Sequence, residues 1–241
     1  MTTYVAVHGA FRGPWYWEPL AAVLATSGDA LHAVDLQGTD LESWIDCVTS
    51  VVRDLPPGVG PVVLLGHSMG GVVAQAATAE LCDLVDDLVL LDSPLIGPGQ
   101  RAVDVSGPVP PEESRLPARD VWIQPTPVGP AQGFDDPALG AWVNDRLRPV
   151  PMGPQLDPLP QVAQQFSSGP GTPGRTVRRL VFCDRTPQGY PSTFARRVCV
   201  DQGVDHLVLD AHHDVAVLQP ELVADVLRNG GTPSNRVARP G

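Results

Sequence analysis

The chain has 241 residues, enough for one domain with a sizeable buried core, and a second domain would have to be small. Hydrophobic residues make up 43% and charged residues 18%, a globular balance that excludes a disordered or membrane class. The formal net charge of -11 argues against nucleic acid or an anionic membrane as partner, because both need a basic face, and it favours a neutral small-molecule substrate.

No stretch approaches the roughly 20 apolar residues of a membrane span, and the opening MTTYVAVHGA has no basic segment ahead of its apolar run. The sequence is therefore read as cytoplasmic. Cys47, Cys82, Cys183 and Cys199 show no paired spacing, so neither a metal site nor a disulfide framework is expected. Every basic side chain is arginine, and with 27 prolines and 24 glycines this is the composition of a GC-rich bacterial coding sequence.

In chain order, short apolar runs alternate with helix-length segments, the pattern of repeated βαβ units. Strands are expected at 4–8, 30–35, 61–66, 88–92, 179–183 and 206–210, and helices at 18–25, 41–55, 69–81, 192–200 and 220–228. The fold class is α/β, with a mainly parallel six-stranded sheet flanked by helices. The alternation fails between 94 and 174, which is dense in proline and is read as a cap inserted above the carboxyl edge of the sheet. Trp122, Phe134, Trp142 and Phe166 in that segment need somewhere to pack, which favours an ordered cap over a linker. The core then comprises 1–93 and 175–229, and 230–241 is expected to be a disordered tail.

The strongest chemical signal is Val62-Val63-Leu64-Leu65-Gly66-His67-Ser68-Met69-Gly70-Gly71, which reads as strand, G-x-S-x-G, helix. A nucleophilic serine on a sharp turn needs its hydroxyl exposed, and the glycines on either side leave room for neighbouring backbone. Ser68 is thus the candidate nucleophile, and the N–H of Met69, at the start of the following helix, is a candidate oxyanion donor. The loop after the first strand, Val7-His8-Gly9-Ala10-Phe11, should lie close to this turn and supply the second donor from Ala10. His8 is read as a structural residue that orders the loop through hydrogen bonds.

A serine of this kind needs a histidine base, and the loop after the last strand offers His212 and His213. The base in turn needs a carboxylate on its other nitrogen. Two positions qualify: Asp184 after the fifth strand, and Asp92 at the end of the fourth. Asp210 and Asp214 flank the histidines too closely and are read as loop caps.

At these residues the chain resembles the plant methylesterase, salicylate-binding protein and hydroxynitrile lyase group of α/β-hydrolases and its bacterial relatives. The matching stretches are Val7-His8-Gly9-Ala10 with Trp15 to Leu20, Asp35-Leu36 with Gly38-Thr39-Asp40-Leu41, the Gly66 to Gly71 turn, and His213 before Pro220-Glu221. They span most of the sheet but not the proline-rich segment. The resemblance implies an α/β-hydrolase fold, a Ser-His-Asp triad with His213 as base, oxyanion donors at Ala10 and Met69, and small ester substrates. Two departures follow from it. Lyases of the group carry threonine at the position of Gly9 and lysine at that of Asp214, so lyase chemistry is not expected. The group's usual acid position holds Thr186. Thioesterases of polyketide and peptide synthases are similar in the run Leu88 to Asp92 and keep their acid at its end, which favours Asp92 over Asp184.

The sequence thus points to a serine hydrolase acting on a small or medium apolar ester or thioester, in bacterial specialised metabolism, without metal or organic cofactor. Phe11, Trp15, Trp122 and Trp142 are its candidate substrate contacts. The alternatives are a non-hydrolytic enzyme on the same scaffold, such as a cyclase or lyase, and a ligand-binding protein descended from a hydrolase.

Overall fold

The computed structural model describes residues 1–160, 166–167 and 176–229. Nine strands run β1 Thr3–Val7, β2 Ala30–Val34, β3 Val62–His67, β4 Asp87–Leu91, β5 Trp122–Ile123, β6 Val150–Pro151, β7 Phe166–Ser167, β8 Thr176–Cys183 and β9 Leu207–Leu209 among the described residues. The helices are α1 Glu18–Ala25, α2 Leu41–Arg53, α3 Met69–Ala77, α4 Pro137–Asn144, α5 Gly153–Leu156, α6 Pro191–Gln202, α7 Val215–Leu218 and α8 Pro220–Asn229.

The main sheet has the order β2-β1-β3-β4-β8, with β9 and the two-residue β7 both against β8, and every pairing is parallel. All six expected strands form. Helices cover both faces, and alternation along each strand divides the core accordingly. Val5, Val7 and Leu64 pack on one side with Trp44 and Val48 of α2 and Val72 and Val73 of α3. Tyr4, Ala6, Val63 and Leu65 pack on the other with Leu20 and Leu24 of α1 and Val223 and Leu227 of α8.

Local signals explain the element ends. Asp40 caps α2, its carboxylate accepting from the Ser43 N–H at 2.8 Å and hydroxyl at 2.6 Å. Trp44, Ile45, Val48 and Val52 recur on one face of that helix and are buried. The helix expected at 69–81 ends at Ala77 and continues only as single turns through Leu81. The one expected at 192–200 is longer, because Pro191 suits its first turn and Gly203, at φ 64°, ends it in the left-handed region.

The proline-rich segment contains the β5–β6 antiparallel pair, α4, α5 and three single 3-10 turns among its described residues. Phe134 is buried there, as its aromatic character requires. The expectations about the tail 230–241 and the Phe166 side chain lie outside the described residues.

Candidate active site

Ser68 stands between β3 and α3 with φ 51° and ψ -126°, a strained conformation for an L-residue. The surrounding glycines leave no room for a side chain. A Cβ on Gly66 would lie 2.5 Å from Gly71 Cα, one on Gly70 2.3 Å from the carbonyl oxygens of Val7 and His8, and one on Gly71 2.2 Å from Ser93 Oγ. The motif therefore follows from close passage of β1 and β4 past the turn. Two other non-glycine residues have positive φ among the described residues, Phe11 at 65° and Asp92 at 44°. All three strained residues lie at this one site.

Asp92 ends β4, the strand beside that of Ser68, and is buried. Its Oδ2 accepts from His213 Nδ1 at 2.5 Å and from Thr186 Oγ1 at 2.6 Å, and its Oδ1 accepts from the Cys183 N–H at 3.1 Å. Burial alone would raise the Asp92 pKa, but these donors and the nearby imidazole hold it below the ordinary carboxylate value. An ionised carboxylate can only accept, so the His213 proton sits on Nδ1 and Nε2 keeps its lone pair. That is the tautomer a general base requires.

His213 is held at a second point. His67, the residue between Gly66 and Ser68, has its Nε2 2.9 Å from the His213 carbonyl oxygen, which fixes Nε2 as the donor. The His67 ring stacks on Tyr16 at 4.6 Å between centroids, and burial followed by the proximity of His213 lowers its pKa to about 3. It is therefore neutral. His8 has its Nδ1 2.9 Å from the Gly9 carbonyl and its Nε2 3.0 Å from Arg148 Nη2, so it orders the loop as expected. Burial lowers its pKa to about 4.

Ser68 and His213 open on one cavity of about 450 Å³, which Ala10, Phe11 and Met69 also line. The opposite wall comes from the proline-rich segment, with Ala102, Ser106, Thr126, Val128, Gln132 and Gln155. Tyr190 lies edge-on to the His213 ring at 4.7 Å between centroids and lines the same space.

Several expected site residues lie elsewhere. The Asp184 side chain is exposed, and its N–H is spent on the Leu209 carbonyl between β8 and β9, so its position in the sheet turns it away from His213. Trp15 and Trp142 pack against each other edge-to-face at 5.3 Å, in the cluster beneath α1, and Arg146 stacks over Trp142. Both are half-buried against that cluster, and neither lines the Ser68 cavity. Trp122 is 50% exposed on β5 and borders a different cavity, with Trp44 and Arg148. His212 packs beside Gly133 and does not line the Ser68 cavity. Of the expected contacts, only Phe11 reaches the Ser68 cavity.

Sequence reasoning missed Thr186 as a donor to Asp92, although its replacement of the usual acid was visible. It also misread Asp214, which is buried in an ion pair with Arg12 instead of capping a loop.

A parallel sheet with a strained serine between β3 and α3, and a carboxylate–imidazole pair at the neighbouring strand end, defines a class. The chain belongs to the alpha/beta hydrolase family, whose model matches residues 4–226. Among curated proteins it is similar to pFDCC methylesterase MES16 of Arabidopsis thaliana, 31% identical over 107 residues, 40% of each chain. The pyrethroid hydrolase of Sphingobium wenxiniae is 29% identical over 201 residues, 77% of this chain and 69% of that one. The alignments to the first plant relatives thus span well under half of those proteins. Among solved structures, an extracellular alpha/beta-hydrolase from a Paenibacillus species superposes with a TM-score of 0.72 at 19% identity, covering 96% of this chain and 99% of that one. These relatives fall in the group that the sequence motifs resemble.

Proposed function

We propose that the protein is a serine esterase in which Ser68 is the nucleophile, His213 the general base and Asp92 the triad acid. The observation that carries this reading is the His213 Nδ1 to Asp92 Oδ2 hydrogen bond of 2.5 Å, beside a cavity that Ser68 also lines. His213 Nε2 takes the Ser68 proton as Oγ attacks the ester carbonyl, and Asp92 stabilises the imidazolium that forms. The N–H groups of Ala10 and Met69 receive the oxyanion, His213 returns the proton to the leaving alcohol or thiol, and water then releases the acyl group.

The cavity's size suits a small or medium substrate. Its walls combine apolar Phe11, Met69 and Val128 with uncharged Ser106, Thr126 and Gln132, and the charge of Arg12, which also lines it, is paired with Asp214, which favours a neutral ester or thioester with an apolar acyl part. A Cβ on Gly9 would lie 2.9 Å from Ser68 Cβ and 3.1 Å from His67 Nδ1, so the threonine of the lyases has no space. Of the segment 94–174, the described residues up to 160 act as the cap of this site, over a core read as 1–93 and 175–229. We read the protein as a bacterial enzyme that works in the cytoplasm; no helix among the described residues is long and apolar enough to cross a membrane.

Hydrolysis of p-nitrophenyl acetate, butyrate and octanoate tests the reading, with a fluorophosphonate to label the nucleophile. Turnover that Ser68→Ala abolishes, with the label on Ser68, is expected. A wild type inert to every ester and to the label would refute it.

A further inference from the structure

Arg12 and Asp214 are separated by 202 positions and meet as a two-point ion pair, Nε to Oδ1 at 3.0 Å and Nη2 to Oδ2 at 2.8 Å. Both are buried, at 8% and 2% exposure. Burial alone would raise the Asp214 pKa, but the Arg12 charge and hydrogen bonds take it down to about 2. Desolvating two charges is costly, so a buried pair is a poor device for stability alone. A bidentate guanidinium–carboxylate fork adds geometric register.

The register it would set is specific. Arg12 follows Ala10 and the strained Phe11 in the β1 loop, and Asp214 follows His213 directly. The Arg12 carbonyl also accepts from Arg148 Nε at 2.9 Å, which ties the same loop to the segment between α4 and β6. The Asp214 carbonyl accepts from the N–H groups of Val217 and Leu218 and so opens α7.

Resting on the esterase reading above, we propose that Arg12 and Asp214 are positioning residues that lock the oxyanion loop to the base loop. They fix the Ala10 donor relative to His213, and the paired charges cancel beside the imidazole. The other ionisable groups around the pair are Tyr16, Tyr190 and His67 toward both partners, His8 toward Arg12, and His213 and Cys183 toward Asp214, with Asp92 beyond His213.

Two variants test this, each with ester kinetics and thermal unfolding. Arg12→Met with Asp214→Leu replaces both charges by apolar side chains, a change that buried pairs tolerate in folding. We expect a folded protein with kcat down about tenfold or more and KM within about twofold, because loosened geometry raises the barrier without weakening ground-state binding. Asp214→Asn leaves Arg12 as an unpaired cation, which disfavours the protonated imidazole and moves the acid limb of kcat/KM to lower pH. In the double variant the acid limb returns to its wild-type position while kcat stays low. A double variant with wild-type kcat, or an acid limb unmoved in Asp214→Asn, would overturn the proposal and leave the pair purely structural. Loss of the esterase reading shows separately, as a wild type without turnover.

Discussion

At the scale of single residues, the site is a set of side chains whose freedom has been removed one bond at a time. Asp92 accepts from three donors, and each has a separable effect. Thr186→Val removes one charge-assisted hydrogen bond, and we expect kcat to fall about tenfold, the effect of roughly 1.5 kcal/mol or more. Stopped-time assays on p-nitrophenyl butyrate would read it. The serine, the histidine and both candidate acids were legible because each lies in a motif or at a strand end. The groups that hold them in place were not. Thr186 was visible only as the absence of an expected acid, and the Arg12 to Asp214 pair spans 202 positions that no local pattern connects. The aromatic contacts failed for a different reason: a tryptophan's size is equally useful in a core, and Trp15 and Trp142 were taken up by each other.

At the scale of elements, the close approach of β1, β3, β4 and α3 sets the strained turn that carries Ser68. Gly70→Ala would drive a Cβ to 2.3 Å from two carbonyl oxygens of β1 and its loop. We expect it to lower stability by about 1–3 kcal/mol, the range for overpacking, as read from urea unfolding. The Asp40 cap of α2 does not line the Ser68 cavity. Asp40→Ala should cost about 1 kcal/mol by the same assay and leave kcat at its wild-type value. Strand and helix positions were legible in the alternation of apolar runs, since a buried parallel sheet demands it. The proline-rich segment was legible only as an interruption. Its short helices, Pro137–Asn144 and Gly153–Leu156, lack the long apolar periodicity that reveals α2.

At the scale of the whole molecule, the buried histidines set a limit on acid stability. His8 and His67 have pKa values of about 4 and about 3 in the fold, against 6.5 when free. Between those values and 6.5 the unfolded chain binds the extra protons, so stability falls as pH drops. The full contribution is present above pH 6.5, and each histidine loses about 2 kcal/mol by pH 5, at roughly 1.4 kcal/mol per unit. Asp214, at about 2 in the fold, adds its own loss only as pH falls below 3.8. Urea midpoints measured from pH 7.5 to 5 should therefore hold until about pH 6.5 and then decline, less steeply in His8→Gln.

In the proposed mechanism the carboxylate that orients His213 makes a base of the histidine. The most direct measurement is kcat on p-nitrophenyl butyrate for Asp92→Asn and Asp184→Asn beside wild type, with circular dichroism to confirm folding. Asp92→Asn should lose on the order of 10⁴ in kcat, as removal of a triad carboxylate does elsewhere, while the exposed Asp184 is dispensable and Asp184→Asn stays within about twofold. A folded Asp92→Asn protein that retains wild-type turnover, or a collapse in Asp184→Asn instead, would contradict the assignment.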